Sequence, residues 1–250
     1  MNWQILSASV IGSSHLRKGL PCQDAHALRI LPGGEILCAV ADGLGSAPLA
    51  EQGAQLAVQV ALDSLSDAMQ SPLPAEESER EALIHKLFAT TRSALEEKSN
   101  SDNRPLRDYA TTLMVTIITQ DWMATAHLGD GAVVAQMAGE ALFTLSAPQR
   151  GEYANETTPL TSPTALESVR YQAKRGEMQA VALFTDGLQN LCLDAASSAP
   201  YEPFFAPLFA QLAAPLQQDE AGQALTAFLQ SDRICKRSDD DKTLVLMRRM

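Results

Sequence analysis

Aspartates at the ends of apolar runs are the residues of this sequence best suited to do chemistry. Asp42 ends the run "LCAVA" and precedes Gly43, Asp130 follows "TAHLG" and precedes Gly131, and Asp186 follows "VALFT" and precedes Gly187. Asp240 and Asp241 stand immediately before the last apolar run, "KTLVLM". An aspartate beside glycine at the edge of a strand puts a carboxylate at the rim of a sheet, and the glycine lets a ligand or a backbone approach closely. Carboxylates converging in this way at one end of the sheets would suit a hard cation such as Mg²⁺ or Mn²⁺, which takes oxygen ligands and keeps several waters. Taken singly, each junction has a plainer explanation, because Asp-Gly is a common turn dipeptide and "SDDD" reads as a solvated charge run. Their order and surroundings favour the metal.

Strands have to present these carboxylates, and the chain supplies them. "NWQILSASVIG" alternates loosely and reads as a strand, and "HALRIL" and "EILCAVA" flank Pro32-Gly33-Gly34 as a hairpin. From Pro48 to about Met69 apolar residues recur at helical spacing, with Pro48 suited to the first turn. After a Ser/Pro break a second helix is predicted from about Ala75 to Lys98, with Glu76, Glu77 and Glu79 near its positive end. "YATTLMVTIIT", "WMATAHLG", "AVVAQMA" and "ALFTL", separated by short polar or glycine breaks, read as an antiparallel meander. "GEYANETTPLTSPTA" is a long polar loop and a candidate functional segment. "VALFT" is a further buried strand, helices fill Pro203 to Leu229, and "TLVLM" closes the chain as a strand. Strands grouped apart from two helical pairs predict an α+β fold: one domain over residues 1–250, two stacked sheets with helices outside.

Composition narrows the function classes. With 250 residues, 46% apolar and 20% charged, the chain can bury a sizeable core, and neither disorder nor coiled coil fits. A formal net charge of −11 argues against non-specific nucleic-acid binding, which needs clustered Lys and Arg. "MNWQILSASVIG" lacks the basic and apolar regions of a signal peptide, and the run "LMVTII" is far too short to span a bilayer. Cys22, Cys38, Cys192 and Cys235 lack CxxC spacing and read as reduced thiols, so a cytoplasmic location is expected.

In order and wording, six segments resemble the PPM, or PP2C-type, metal-dependent serine/threonine phosphatases. "PCQDAH" stands where that family has an acidic pair, and "VADGLGS" resembles its V-x-D-G-x-G. "YATTLMV" resembles its G-T-T strand, "HLGDGAVV" its G-D-S-R, "LFTDGLQN" its S-D-G-L-x-D and "SDDDKTLVLM" its D-N-x-T ending. The wording, "GEYAN" included, is most similar to a small bacterial stand-alone subgroup. The resemblance implies a β-sandwich of two antiparallel sheets flanked by pairs of α-helices. It implies that Asp42 bridges two Mn²⁺ or Mg²⁺ ions, that the Gly43 carbonyl binds one of them, and that Asp186 and Asp240 complete the pair. Asp24 would hold a coordinated water, and Asp130 matches the position of a third, weaker metal. A hydroxide bridging two ions about 3.5–4 Å apart would attack the phosphoryl group in line, with no covalent intermediate. The implied partners are proteins phosphorylated on Ser or Thr, together with a cognate kinase, and neither nucleic acid nor membrane.

Departures from the pattern mark where this chain differs. Gln23 replaces the Glu of the acidic pair, and Gly19 stands where the family commonly places a phosphate-binding Arg, leaving His15, Arg17 or Lys18 to reach the phosphate. Leu44 replaces a histidine that some relatives have, Asn190 replaces an aspartate associated with the third metal, and Gly131-Ala132 replaces Ser-Arg. His26 follows the Asp24 motif and could hydrogen-bond near the site, whereas His127, inside a predicted strand, reads as structural. Two other functions stay open at this point. One is a catalytically weak or inactive module of the same fold that binds phosphoproteins or regulatory partners. The other is a metal-dependent phosphomonoesterase of small molecules.

Overall fold

In the computed structural model, which describes residues 2–71, 74, 76–149 and 157–250, the apolar runs become the middle strands of two antiparallel five-stranded sheets. The strands are β1 (Trp3–Val10), β2 (Asp24–Ile30), β3 (Ile36–Asp42), β4 (Leu113–Ile118), β5 (Trp122–Leu128), β6 (Ala132–Met137), β7 (Leu142–Ser146), β8 (Arg170–Arg175), β9 (Met178–Phe184) and β10 (Lys242–Arg249). One sheet has the order β1-β10-β9-β6-β7 and the other β2-β3-β4-β5-β8. The helices are α1 (Ser13–Lys18), α2 (Ala50–Ala68), α3 (Glu77–Ser101), α4 (Gln189–Cys192), α5 (Glu202–Gln211), α6 (Gln218–Leu229) and α7 (Asp232–Cys235).

Period-two alternation sorts each central strand between two cores. On β3, Leu37, Ala39 and Ala41 pack toward α2 and α3, while Ile36, Cys38 and Val40 face the other sheet. On β9, Val181 and Leu183 meet them from the opposite side, and Ala180, Ala182 and Phe184 pack outward with Phe205 and Phe209 of α5. Strands buried on both faces need no polar alternation, which is why "ILCAVA" and "LMVTII" are continuously apolar. The result is four layers, helices on sheet on sheet on helices. It is the predicted α+β sandwich, with α2 and α3 within a few residues of their predicted limits.

One expectation is corrected. The four strands read as a continuous meander are divided between the sheets: β4 pairs with β5 in one, and β6 pairs with β7 and β9 in the other. The chain crosses between sheets at Gly129–Gly131, where Gly129 takes φ +130° and a Cβ would lie 2.6 Å from the Thr112 side chain. Only glycine makes that crossing without strain, and it leaves Asp130 at the end of the sandwich between the two sheets. Several short elements escaped the sequence reading, the helices α4 and α7 among them. β8, "RYQAKR", is a polar edge strand beside β5, and α1 is only six residues long. The "GEYAN" part of the polar loop lies outside the described residues.

Candidate metal centre

Asp42 is fixed through its backbone before its carboxylate does anything. Its N–H donates to Thr112 Oγ1 at 2.9 Å, and its carbonyl accepts from Thr112 N at 2.8 Å and Thr111 Oγ1 at 3.0 Å. The Thr111-Thr112 pair just before β4 therefore holds the main chain of Asp42. Asp24 is the residue directly opposite Asp42 in the β2–β3 pair, buried, with Oδ2 accepting from Thr185 Oγ1 at 2.7 Å. Thr185 also accepts from Thr243 N at 2.9 Å, tying the end of β9 to the start of β10 and so setting Asp186 beside the pair. Asp240 is anchored by its carbonyl, which accepts from the fully buried Lys242 Nζ at 2.6 Å.

These elements converge on one cleft of about 260 Å³, lined by Asp42, Gly43, Asp130, Asp186 and Asp240 together with Thr112 and Thr157. Asp42, Asp130 and Asp186 each offer a carboxylate oxygen within 4.8 Å of the others, while Asp240 groups with His15 and Asp241 at the same spacing. Asp130, matched in the sequence to a third, weaker metal, belongs to the same cluster as Asp42 and Asp186. Thr157 Oγ1 donates to Asp130 Oδ2. A hollow of equal volume against α5 and α6 is lined by Phe204, Leu208 and Phe228 and has no carboxylate, so chemistry and not concavity distinguishes the cleft.

A divalent cation fits this set. Burial, followed by the neighbouring Asp24 and Asp186 charges, pushes the Asp42 carboxyl well above its ordinary range. Burial and Asp130 raise Asp186 to about 6, burial raises Asp24 to about 8 against the Thr185 hydrogen bond, and burial raises Asp130. Carboxylates packed this closely disfavour their own charged forms, and a cation among them reverses that. Asp24 Oδ1 and Gln23 Oε1 are buried without a hydrogen-bond partner, as outer acceptors for water in a filled site would be. Gly43 lines the same space.

Of the basic residues expected at a phosphate, His15 and Lys18 line the cleft and Arg17 does not. Arg17 turns to solvent and pairs with Asp239 at 3.1 Å, one helical step away from the carboxylates. His26 hydrogen-bonds through Nδ1 to Ser9 Oγ at 2.8 Å, and Ser9 to Thr243 Oγ1 at 2.6 Å, so it braces the strand ends and leaves the cleft alone. His127 is fully buried against Ser146, at 2.9 Å, in a structural position. The sequence reading set Asp241 beside Asp240 before the last strand and gave it no role. It is 2% exposed, and its two oxygens accept from Gly12 N at 2.6 Å, Gln23 N at 2.6 Å and His15 Nδ1 at 2.8 Å. In the run "SDDD" only the buried pairing could have marked it.

Comparison with known proteins agrees with this fold. The family model described as protein phosphatase 2C matches residues 11–230. A curated Escherichia coli protein, serine/threonine-protein phosphatase 3, is 36% identical over 252 residues, covering 98% of each chain. Among solved structures, the S. agalactiae serine/threonine phosphatase superposes with a TM-score of 0.66 at 19% identity, covering all of both chains. A structure of RsbX in complex with magnesium has a TM-score of 0.56 at 17% identity, covering 98% of this chain and 94% of that one. At these identities the two structures speak for the fold.

Proposed function

The chain belongs to the protein phosphatase 2C family and is a serine/threonine protein phosphatase, and on that basis we propose that it works through a two-ion centre built on Asp42, Asp186 and Asp240. The observation that carries this reading is the cluster of carboxylates raised by burial and mutual repulsion in one cleft. Asp42 would be shared between the ions, the Gly43 carbonyl would add a backbone ligand, and Asp24 would hold a coordinated water from the facing strand. When bound, two Mn²⁺ or Mg²⁺ ions supply a nucleophile acidified to neutral pH and neutralise the phosphoryl oxygens. The protein's part is positioning: strand ends locked by Thr111, Thr112 and Thr185 hold the ligands, and no side chain needs to form a covalent bond to phosphorus.

Asp130 is well placed to hold a further ion with Asp42 and Asp186, although Asn190 is exposed and lines no part of the cleft. Lys18, exposed at the rim of the cleft and without an ion pair among the described residues, is the side chain we assign to the substrate phosphate. The intact carboxylate set disfavours a binding module without turnover. The substrates are proteins phosphorylated on serine or threonine, with a kinase supplying them. Among the described residues no helix is long and apolar enough to cross a membrane. Four free thiols support a reducing compartment, the cytoplasm.

The test is a substrate panel. Phosphate release with Mn²⁺ from phosphoserine and phosphothreonine peptides should exceed that from small phosphorylated metabolites of equal concentration. Faster turnover of metabolites would make the protein a small-molecule phosphomonoesterase instead.

A further inference from the structure

Where α5, α6 and α7 come together they leave a hollow of about 260 Å³ that shares no lining residue with the metal cleft. Its floor is apolar and recessed: Phe204 and Leu208 of α5, Leu225 of α6 and Ile234 of α7 are each less than a tenth exposed. Tyr201, before α5, and Ala224 of α6 line the same hollow and are exposed, so the floor lies below a rim. Concave, mostly apolar sites between helices take small molecules. Such sites begin at about 300 Å³, so the space suits a slim occupant.

Charge says what the other end of that occupant carries. In a chain with a net charge of −11, the described lining contains two arginines, Arg233 and Arg237, and no Asp or Glu. They stand four residues apart, are exposed, and make no hydrogen bond or ion pair among the described residues. The acids beside them in sequence face other cations: Asp232 meets Lys236 at 3.8 Å, and Asp239 meets Arg17 at 3.1 Å. We propose that this hollow is a second binding site, for a small alkyl carboxylate, with the chain on the floor and the head group on Arg233 and Arg237. Leu208, Leu225 and Ile234 offer branched aliphatic surface that a flexible chain can follow, and covering it removes apolar area from water. Planar guanidinium groups donate charge-assisted hydrogen bonds to a carboxylate, which fixes the head group at one end. The site is independent of the metal-dependent reading above and goes beyond it.

The test is calorimetric titration of the full-length, Mn²⁺-loaded protein with octanoate, beside octanol and octyltrimethylammonium. One octanoate should bind per chain, at least about tenfold more tightly than octanol, and the cationic amphiphile should bind least. The double variant Arg233→Gln with Arg237→Gln should bring octanoate down to the affinity of octanol. Ala224→Trp, which fills the hollow from an exposed position on α6, should abolish the binding of both. Unchanged Mn²⁺-dependent hydrolysis without ligand reports that these variants are folded, since none of the three residues lines the metal cleft. No binding of octanoate, or equal affinity for octanoate and octanol, overturns the proposal. Octanoate binding that survives Ala224→Trp also overturns it and places the acid elsewhere, on the metal ions above all. Sedimentation velocity decides the rival occupant. A ligand-free dimer that Ala224→Trp converts to monomer would assign the hollow to a second copy of the chain and overturn the proposal.

Discussion

Asp24 and Asp42 stand directly opposite each other across the β2–β3 pair, two carboxylates where a sheet ordinarily places unlike or apolar partners. Like charges facing each other weaken a strand pair, so these residues are a cost to the fold that an ion offsets. Asp24→Asn should therefore raise the melting temperature of EDTA-treated protein and lower its Mn²⁺ affinity by roughly 10- to 100-fold. Thermal melts and calorimetry on the same preparation check both signs. A variant that is less stable without metal would sink this account of the pair.

The same crowding fixes a pH dependence. For metal-free protein, folded-state carboxyls raised above their ordinary value of 3.8 bind protons that the unfolded chain has released, so stability falls as pH rises toward their folded values. Burial lowers His26, and lowers His127 to about 3, so these two oppose the trend below 6.5. Between about pH 6.5 and 8 the carboxyls act alone, with Asp24 at about 8. The melting temperature in EDTA should drop across that window. Saturating Mn²⁺ should remove the drop, because protons and cations compete for the same oxygens.

Removing a central carboxylate should abolish turnover without unfolding the chain. Asp42→Asn and Asp186→Asn should each lower Mn²⁺-dependent p-nitrophenyl phosphate hydrolysis by at least about 100-fold, the scale on which lost electrostatic stabilisation acts. Retained activity in Asp42→Asn would mean that the bridging position lies elsewhere.

Lys18 and Arg17 are adjacent in α1 and differ in direction, so they separate a site effect from a charge effect. Lys18→Ala should raise KM for a phosphopeptide roughly tenfold with little change in kcat. Arg17→Ala, which loses an exposed pair with Asp239 and an exposed hydrogen bond to Ser13, should leave both nearly unchanged. Equal effects would point to long-range attraction in place of contact.

Far from the cleft, Phe205 is fully buried and meets Phe184, Phe204 and Phe209 with ring centroids 5.2 to 6.0 Å apart. Phe205→Ala should cost about 3–5 kcal/mol in denaturant unfolding, since the void cannot close within a packed layer. Mn²⁺ affinity measured below the transition should stay close to that of the parent.

Local pattern alone was enough to place the central strands and their terminal aspartates. Continuous apolar runs of five or six residues ending in Asp-Gly can be little else, and the register of a doubly buried strand follows from its period of two. The polar edge strand β8 was illegible because an edge needs no apolar face, and the meander was misread because pairing partners are chosen in three dimensions. Glycines at 129 and 131 look alike in sequence whether the chain turns back within a sheet or crosses to another.

The site divides in the same way. The sequence by itself determined which carboxylates stand beside the ends of strands: Asp42 and Asp186 at the close of one, Asp240 before the start of another. Only the tertiary structure decided that Asp130 joins Asp42 and Asp186, that Arg17 points away, and that Asp241 turns inward while Asp240 meets the cleft. The chain bends at Asp240 before β10 begins at Lys242, so adjacent identical residues receive different partners. The partners that turn Asp241 inward, Gly12, His15 and Gln23, lie more than 200 residues earlier in the chain, beside β1, which pairs with β10, and at the start of β2 in the other sheet.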